Sequence, residues 1–172
     1  MKKGFSLVEL LVVMIVAGVL LMISINIASS VVTKSRFSGG VNKIVADIAY
    51  AKELASKENR WVKIHFHSDG KTYTIEKQKV IGDLNQFEVV KKRQPMDGRM
   101  FFTPGGTDVT DFAVNSRGEV KKASDLTNPT SQPSEIILTV WSRKGDGSLS
   151  QPIIYQRRIR IYPYGGIKVE KR

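Results

Sequence analysis

Three groups of residues in this sequence have types and spacings that could do chemistry. The first is Glu9, which stands at the head of an apolar run in which no residue is charged until Lys34. A carboxylate in such a run costs on the order of a few kcal/mol toward a bilayer centre, so it is expected to have a partner. The second is His65 and His67, which share a strand face with Lys63. Histidines at i and i+2 can both reach one metal ion. They are the only two in the chain, however, and a cation beside them disfavours a second, so a solvated strand face is expected, with no metal. The third is Arg157-Arg158-Ile159-Arg160-Ile161-Tyr162, where period two puts Arg158, Arg160 and Tyr162 on one face. Arginines with an aromatic can track a nucleic-acid backbone and stack a base. The plainer reading is a sheet face whose charges guard an edge.

Other chemistries are excluded or unsupported. The chain has no cysteine, which removes disulfides, thiolate metal sites and thiol nucleophiles. It shows neither a Gly-x-Ser-x-Gly elbow nor a phosphate-binding Gly-rich loop, so no catalytic residue and no cofactor is expected, and the chain reads as a non-enzyme. Net charge is +11 over 172 residues, which favours anionic surfaces. The excess concentrates from Trp141 onward, with eight basic residues, Lys168, Lys171 and Arg172 among them, against two acidic ones. Trp61 and Trp141 read as core.

These groups need elements to carry them. Leu10 to Thr33 can form a helix of about 36 Å, long enough to span a bilayer, with Lys2 and Lys3 holding the N-terminus on the cytoplasmic side. A cleaved secretory signal ending near Ala28-Ser29-Ser30 and a plain anchor are alternatives, but neither uses Glu9. Phe37, Val41, Ile44, Val45, Ile48, Ala51 and Ala55 continue as an amphipathic stripe, opposite Lys43, Asp47, Lys52, Glu53 and Lys57. Gly39-Gly40 should weaken or bend the helix there. From Phe5 to about Lys57 one helix of roughly 80 Å results.

After Asn59 the chain reads as β. Trp61 to His67 turns through Ser68-Asp69-Gly70-Lys71 into Thr72 to Glu76, and Phe87 to Lys91 is a short strand. Pro104-Gly105-Gly106 is a loop, and Phe112 to Val114 and Glu119 to Lys121 flank a turn at Asn115 to Gly118. A loop at Asp125 to Ser134 precedes Ile136 to Trp141. Gly145-Asp146-Gly147 leads to Ile153 to Tyr162, and Tyr164-Gly165-Gly166 turns into Ile167 to Val169.

Gly4-Phe5-Ser6-Leu7-Val8-Glu9-Leu10 resembles the prepilin signature of type IV pilins and type II secretion pseudopilins. The resemblance implies cleavage after Gly4 by a prepilin peptidase, methylation of the new Phe5 amine, and a Glu9 that neutralises the amine of a neighbouring subunit. The fold it implies is α+β: a long N-terminal transmembrane and spine helix packed on a C-terminal antiparallel β-sheet domain. Its parts would be a leader at 1–4, a membrane half at 5–33, an amphipathic half at 34–58 and an extracytoplasmic β-rich domain at 59–172. The later segments Phe112-x-x-Asn115-x-x-Gly118, Ile136 to Val140, Arg160-Ile161 and Gly166 to Val169 resemble the GspH/FimT subgroup. Missing cysteines, a first proline only at Pro95 and no acidic calcium cluster favour a minor over a major subunit. The implied protein is a single-pass inner-membrane subunit built into a periplasmic or surface filament. Its partners would be other pilins or pseudopilins and an assembly platform, and its role to initiate or cap the filament. The alternative is a DNA-uptake minor pilin binding nucleic acid through Arg158, Arg160, Tyr162, Lys168, Lys171 and Arg172.

Overall fold

The computed structural model describes residues 6–91, 99–102, 111–128, 130–144 and 152–171, without the side chains of 23–29 and 171. Lys2, Lys3, Gly4 and Phe5, the loops expected at Pro104–Gly106 and Gly145–Gly147, the Lys171 side chain and Arg172 therefore lie outside the described residues. The architecture is α+β. Helix α1 runs Leu7–Glu58, and nine strands follow: β1 Val62–Phe66, β2 Tyr73–Gln78, β3 Phe87–Lys91, β4 Met100–Phe102, β5 Phe112–Val114, β6 Val120–Lys122, β7 Ile136–Arg143, β8 Ile153–Ile161 and β9 Ile167–Lys171. Two compact units divide the chain, Met1–Arg36 and Phe37–Arg172.

In the second unit the strands form two antiparallel sheets, ordered β3-β2-β1-β5-β6 and β4-β7-β8-β9. One core joins them to the helix. Phe37, Val41, Ile44, Ile48, Ala51 and Ala55 are buried at the expected spacings, against Ile64, Ile75 and Phe112 of the first sheet and Phe102, Leu138 and Ile159 of the second. Each of these side chains larger than alanine, fully buried, contributes about 1.5–3 kcal/mol from apolar transfer. The helix ends where Asn59 takes a left-handed φ of 50°, with Arg60 N–H donating to Ala55 O at 3.2 Å. That bond across six residues is a Schellman closure, for which asparagine is a tolerated left-handed residue.

Four expectations are corrected here. Asp47 does not lie on the solvent face; it is 5% exposed, because it sits three residues after Ile44 and four before Ala51, at the margin of the buried stripe. The helix is continuous through Gly39-Gly40, and Gly40 serves close approach: a Cβ there would collide with the Met100 thioether. Trp61 and Trp141 are half-buried and absent from the core cluster. Strand β4, three residues of a segment with no alternation to read, was not foreseen; it pairs Phe101 with Trp141.

The β8–β9 turn is a second place where a Cβ would meet a neighbour, and there the backbone itself requires glycine. Gly165 has φ +76°, and a Cβ would lie 2.6 Å from Lys52 Cε and 2.9 Å from Gly118 O. Lys52 Nζ donates to Gly165 O at 2.6 Å, tying this turn to the helix. Gly165→Ala is expected to destabilise the domain by about 2–4 kcal/mol, from the left-handed backbone and the backbone clash together. Gly39→Ala, with open space around the new methyl, should instead stabilise it by about 0.5–1 kcal/mol through helix propensity. Urea denaturation followed by tryptophan fluorescence measures both. Equal midpoints for the two variants would contradict this packing.

Candidate functional site

The first unit is built around an apolar helix. Leu10, Leu11, Val12 and Val13 are consecutive and all exposed. Successive helical residues are about 100° apart, so apolar side chains surround the axis instead of forming a stripe. Exposure of this kind is seen among the described side chains from Leu7 to Met22 and at Val31 and Val32. A surface so continuous is stable only against lipid or other apolar helices. Among the described residues no helix is long and apolar enough to cross a membrane. The span expected at Leu10–Thr33 includes residues 23–29, whose side chains lie outside the description.

Glu9 lies in the first turn of this helix and is exposed. Leu10 N–H donates to Ser6 O at 3.2 Å, the first helical bond, and Ser6 N–H reaches back to Glu9 Oε2 at 3.4 Å. Ser6-x-x-Glu9 has the spacing of a capping box, in which a glutamate three residues into the helix satisfies an orphan donor. At 3.4 Å the contact is longer than a good N–H···O bond. Within one chain, then, the carboxylate has a weak local task and stays available to a stronger partner. Gly4 and Phe5, the expected cleavage point, lie outside the described residues.

The prokaryotic N-terminal methylation motif matches residues 1–25. The chain carries a type IV prepilin-like signal. That signal indicates a pilin-like protein and is consistent with a pilus or pseudopilus subunit. No curated protein and no solved structure matches the chain at a significant level.

The second sheet also presents a charged face. Paired residues across antiparallel strands project to the same side, so Ile137, Arg160 and Lys168 form one row and Thr139, Arg158 and Glu170 the next. Arg158 and Arg160 thus share a face opposite Ile159 and Ile161, as the alternation predicts. What the sequence reading missed is the acid among them. Arg160 Nη1 lies 2.7 Å from Glu135 Oε1 and its Nε 3.4 Å from Glu170 Oε1, while Lys168 Nζ lies 3.5 Å from Glu170 Oε1. The Arg160 guanidinium, and then Lys168, hold the Glu170 carboxyl below its ordinary range. Whatever stability that adds is present above the usual carboxylate pKa and lost as pH falls through the lowered value. Two carboxylates therefore interrupt the row that phosphates would have to contact. Glu135 precedes the strand and Glu170 sits on a different one, so no local pattern in the Arg157–Tyr162 segment announces them. Arg157 projects to the other side, its guanidinium 5.9 Å from the Phe37 ring centre.

One open groove of about 310 Å³ lies beside the end of the helix, lined by Arg60, Trp61, Ile81, Leu84 and Arg117 among others. Arg60 is already engaged there, donating to the Gln78 and Lys79 carbonyls at 3.1 and 3.0 Å. Glu9 belongs to the first unit, and within the second the arginines and histidines lie on two different sheets.

Proposed function

We propose that this chain is a minor subunit of a type IV pilus or a type II secretion pseudopilus, inserted in the inner membrane and recruited into the filament. The observation that carries the reading is the complete signal Gly4 to Glu9, followed by a helix whose side chains are apolar on every side. Prepilin peptidase would cut after Gly4, leaving Phe5 as the methylated N-terminus, and the apolar helix would remain as membrane anchor and filament spine. Glu9 would pair with the Phe5 amine of a neighbour, since two charges costly alone in an apolar bundle become tolerable together. The folded unit from Phe37 onward would face the extracytoplasmic side and supply specific contacts. The role is structural, not catalytic. Initiation or capping of the filament, in the manner of the GspH/FimT subgroup, fits the absence of cysteine and of proline before Pro95.

The composition of purified filaments tests the minor role. Filaments sheared from cells and quantified by peptide mass spectrometry should contain this chain in small substoichiometric amount relative to the major subunit. Abundance equal to the major subunit would make it a building block of the shaft instead.

A further inference from the structure

The groove beside the end of α1 is assembled from three braced turns, all within the second unit. Asn59, which closes the helix, leads into Arg60 and Trp61 on one wall. The turn carrying Ile81 and Leu84 is a second wall, pinned where Gln78 Nε2 donates to Asp83 O at 3.1 Å. The third is the tip of the β5–β6 hairpin, where Asn115 Oδ1 accepts the Arg117 and Glu119 N–H groups at 3.0 and 2.9 Å. Ser56 Oγ donates to Ser116 O at 3.1 Å and ties that tip to the helix. A cleft braced in this way exists before any ligand arrives, so little ordering is left to oppose binding.

Its chemistry is two-sided. Trp61, Ile81 and Leu84 supply apolar surface, and Ile81 is 63% exposed. Arg60 uses only Nη1 on the Gln78 and Lys79 carbonyls, which fixes the guanidinium while Nε and Nη2 meet no partner among the described residues. Arg117 is exposed, and its guanidinium has no partner among the described residues either. The acids nearest in the chain do not neutralise them, because each is occupied. Glu58 is met by Lys77 Nζ at 2.9 Å, Asp83 by Asn85 N–H and Gln86 Nε2, and Glu119 by Asn115 Nδ2. The end of α1 carries about half a negative charge, which two guanidinium groups outweigh.

Open arginine donors beside apolar surface fit a carboxylate that carries an apolar side chain, since guanidinium binds carboxylate in a two-bond fork. A run of phosphates would need a row of cations, whereas Glu58, Asp83 and Glu119 flank these two in the chain. The volume of about 310 Å³ is at the small end of ligand clefts, enough for the last residues of a chain and too small for an added helix or strand. We propose that this groove captures the C-terminus of a partner protein that ends in an apolar residue. The α-carboxylate pairs with Arg60 and Arg117, and the final side chain packs on Trp61, Ile81 and Leu84. Asn59, which also lines the groove, offers an amide donor and acceptor to the last peptide group.

The test uses the full-length chain in detergent micelles and fluorescein-labelled peptides ending in leucine, phenylalanine or glycine, each with a free or an amidated C-terminus. Fluorescence anisotropy measures affinity, and the indole N–H signals of the two tryptophans in a proton–nitrogen NMR spectrum locate the site. Leucine and phenylalanine peptides with a free carboxylate should bind, shifting the Trp61 signal and leaving that of Trp141 in place. Amidation, a terminal glycine, or Arg117→Ala should each lower affinity by about tenfold or more. Lys144→Ala, which removes an exposed cation just beyond β7, should leave it unchanged. Equal affinity for free and amidated peptides overturns the proposal, as does binding that leaves the Trp61 signal unmoved. No binding of any free-carboxylate peptide at millimolar concentration, or a loss in Lys144→Ala equal to that in Arg117→Ala, overturns it as well. The peptide comparisons are made on the wild-type chain and do not depend on any variant folding.

Discussion

Glu9→Ala is expected to cut incorporation of this subunit into filaments by at least about tenfold while leaving its folded domain untouched. Breaking a buried ion pair costs about 3–5 kcal/mol, more than two powers of ten in an association constant, and the proposed pairing of Glu9 with a neighbour's amine inside an apolar bundle would be such a pair. The monomer should still be made and inserted, because removing a charge from an apolar helix only favours the membrane. A capping role predicts something else. The 3.4 Å reach from Ser6 N–H to Glu9 is a bond that glutamine can also accept. Glu9→Gln separates the two roles. If capping is what matters, Gln restores assembly; if charge pairing matters, Gln fails as Ala does, and this is the expected result. Filament recovery by immunoblot of sheared fractions decides between them.

The second large effect is on stability. Asp47 is buried at the margin of the stripe, accepts the Tyr73 hydroxyl at 2.5 Å and is met by Lys91 Nζ, also at 2.5 Å. Burial first, and then the Asp47 carboxylate, push the Tyr73 hydroxyl far above its ordinary pKa, so it remains a donor throughout the physiological range. Asp47→Ala leaves that hydroxyl without an acceptor, strands Lys91 and opens a void, which together should cost about 2–4 kcal/mol. Asp47→Asn keeps an acceptor for Tyr73 and loses only the charge, and Tyr73→Phe removes one donor; each should cost about 1–2 kcal/mol. Both tryptophans lie in the folded unit from Phe37 onward, so their fluorescence during urea denaturation reports on it. An Asp47→Ala variant within about 0.5 kcal/mol of wild type would mean that the ion pair is ornamental.

What could be read from the residues alone follows a physical division. The stripe from Phe37 to Ala55 and the strands β1, β3, β5 and β8 are local patterns, set by helical or two-residue periodicity, and the fold places them within a residue or two of the expected bounds. Asp47 was misplaced because its position is marginal in the helical period; only the tertiary arrival of Tyr73 and Lys91 makes burial tolerable. Gly40 reads as a helix breaker until Met100, sixty residues later, is found in the notch it leaves. The same holds for the charged groups. The alternation of Arg158 and Arg160 was legible, whereas Glu135 reaches Arg160 and Asp111 reaches His65 only through strand pairing across long separations, and Glu170 reaches Arg160 through the register of the β8–β9 hairpin. Glu9 differs from all of these. On the proposed reading its meaning lies in a contiguous segment read by a peptidase and an assembly machine, so the sequence states it more fully than the folded chain does.

Processing of that segment is therefore the most direct measurement. Chain purified from the membranes of its native host, analysed intact and by N-terminal peptide mass spectrometry, should begin at Phe5, carry one added methyl group on its amine, and retain Leu7 to Thr33. In cells lacking the prepilin peptidase it should keep Met1 to Gly4. A mature chain beginning after Ala28 or Ser30, or one that retains Gly4 in peptidase-competent cells, would contradict the account.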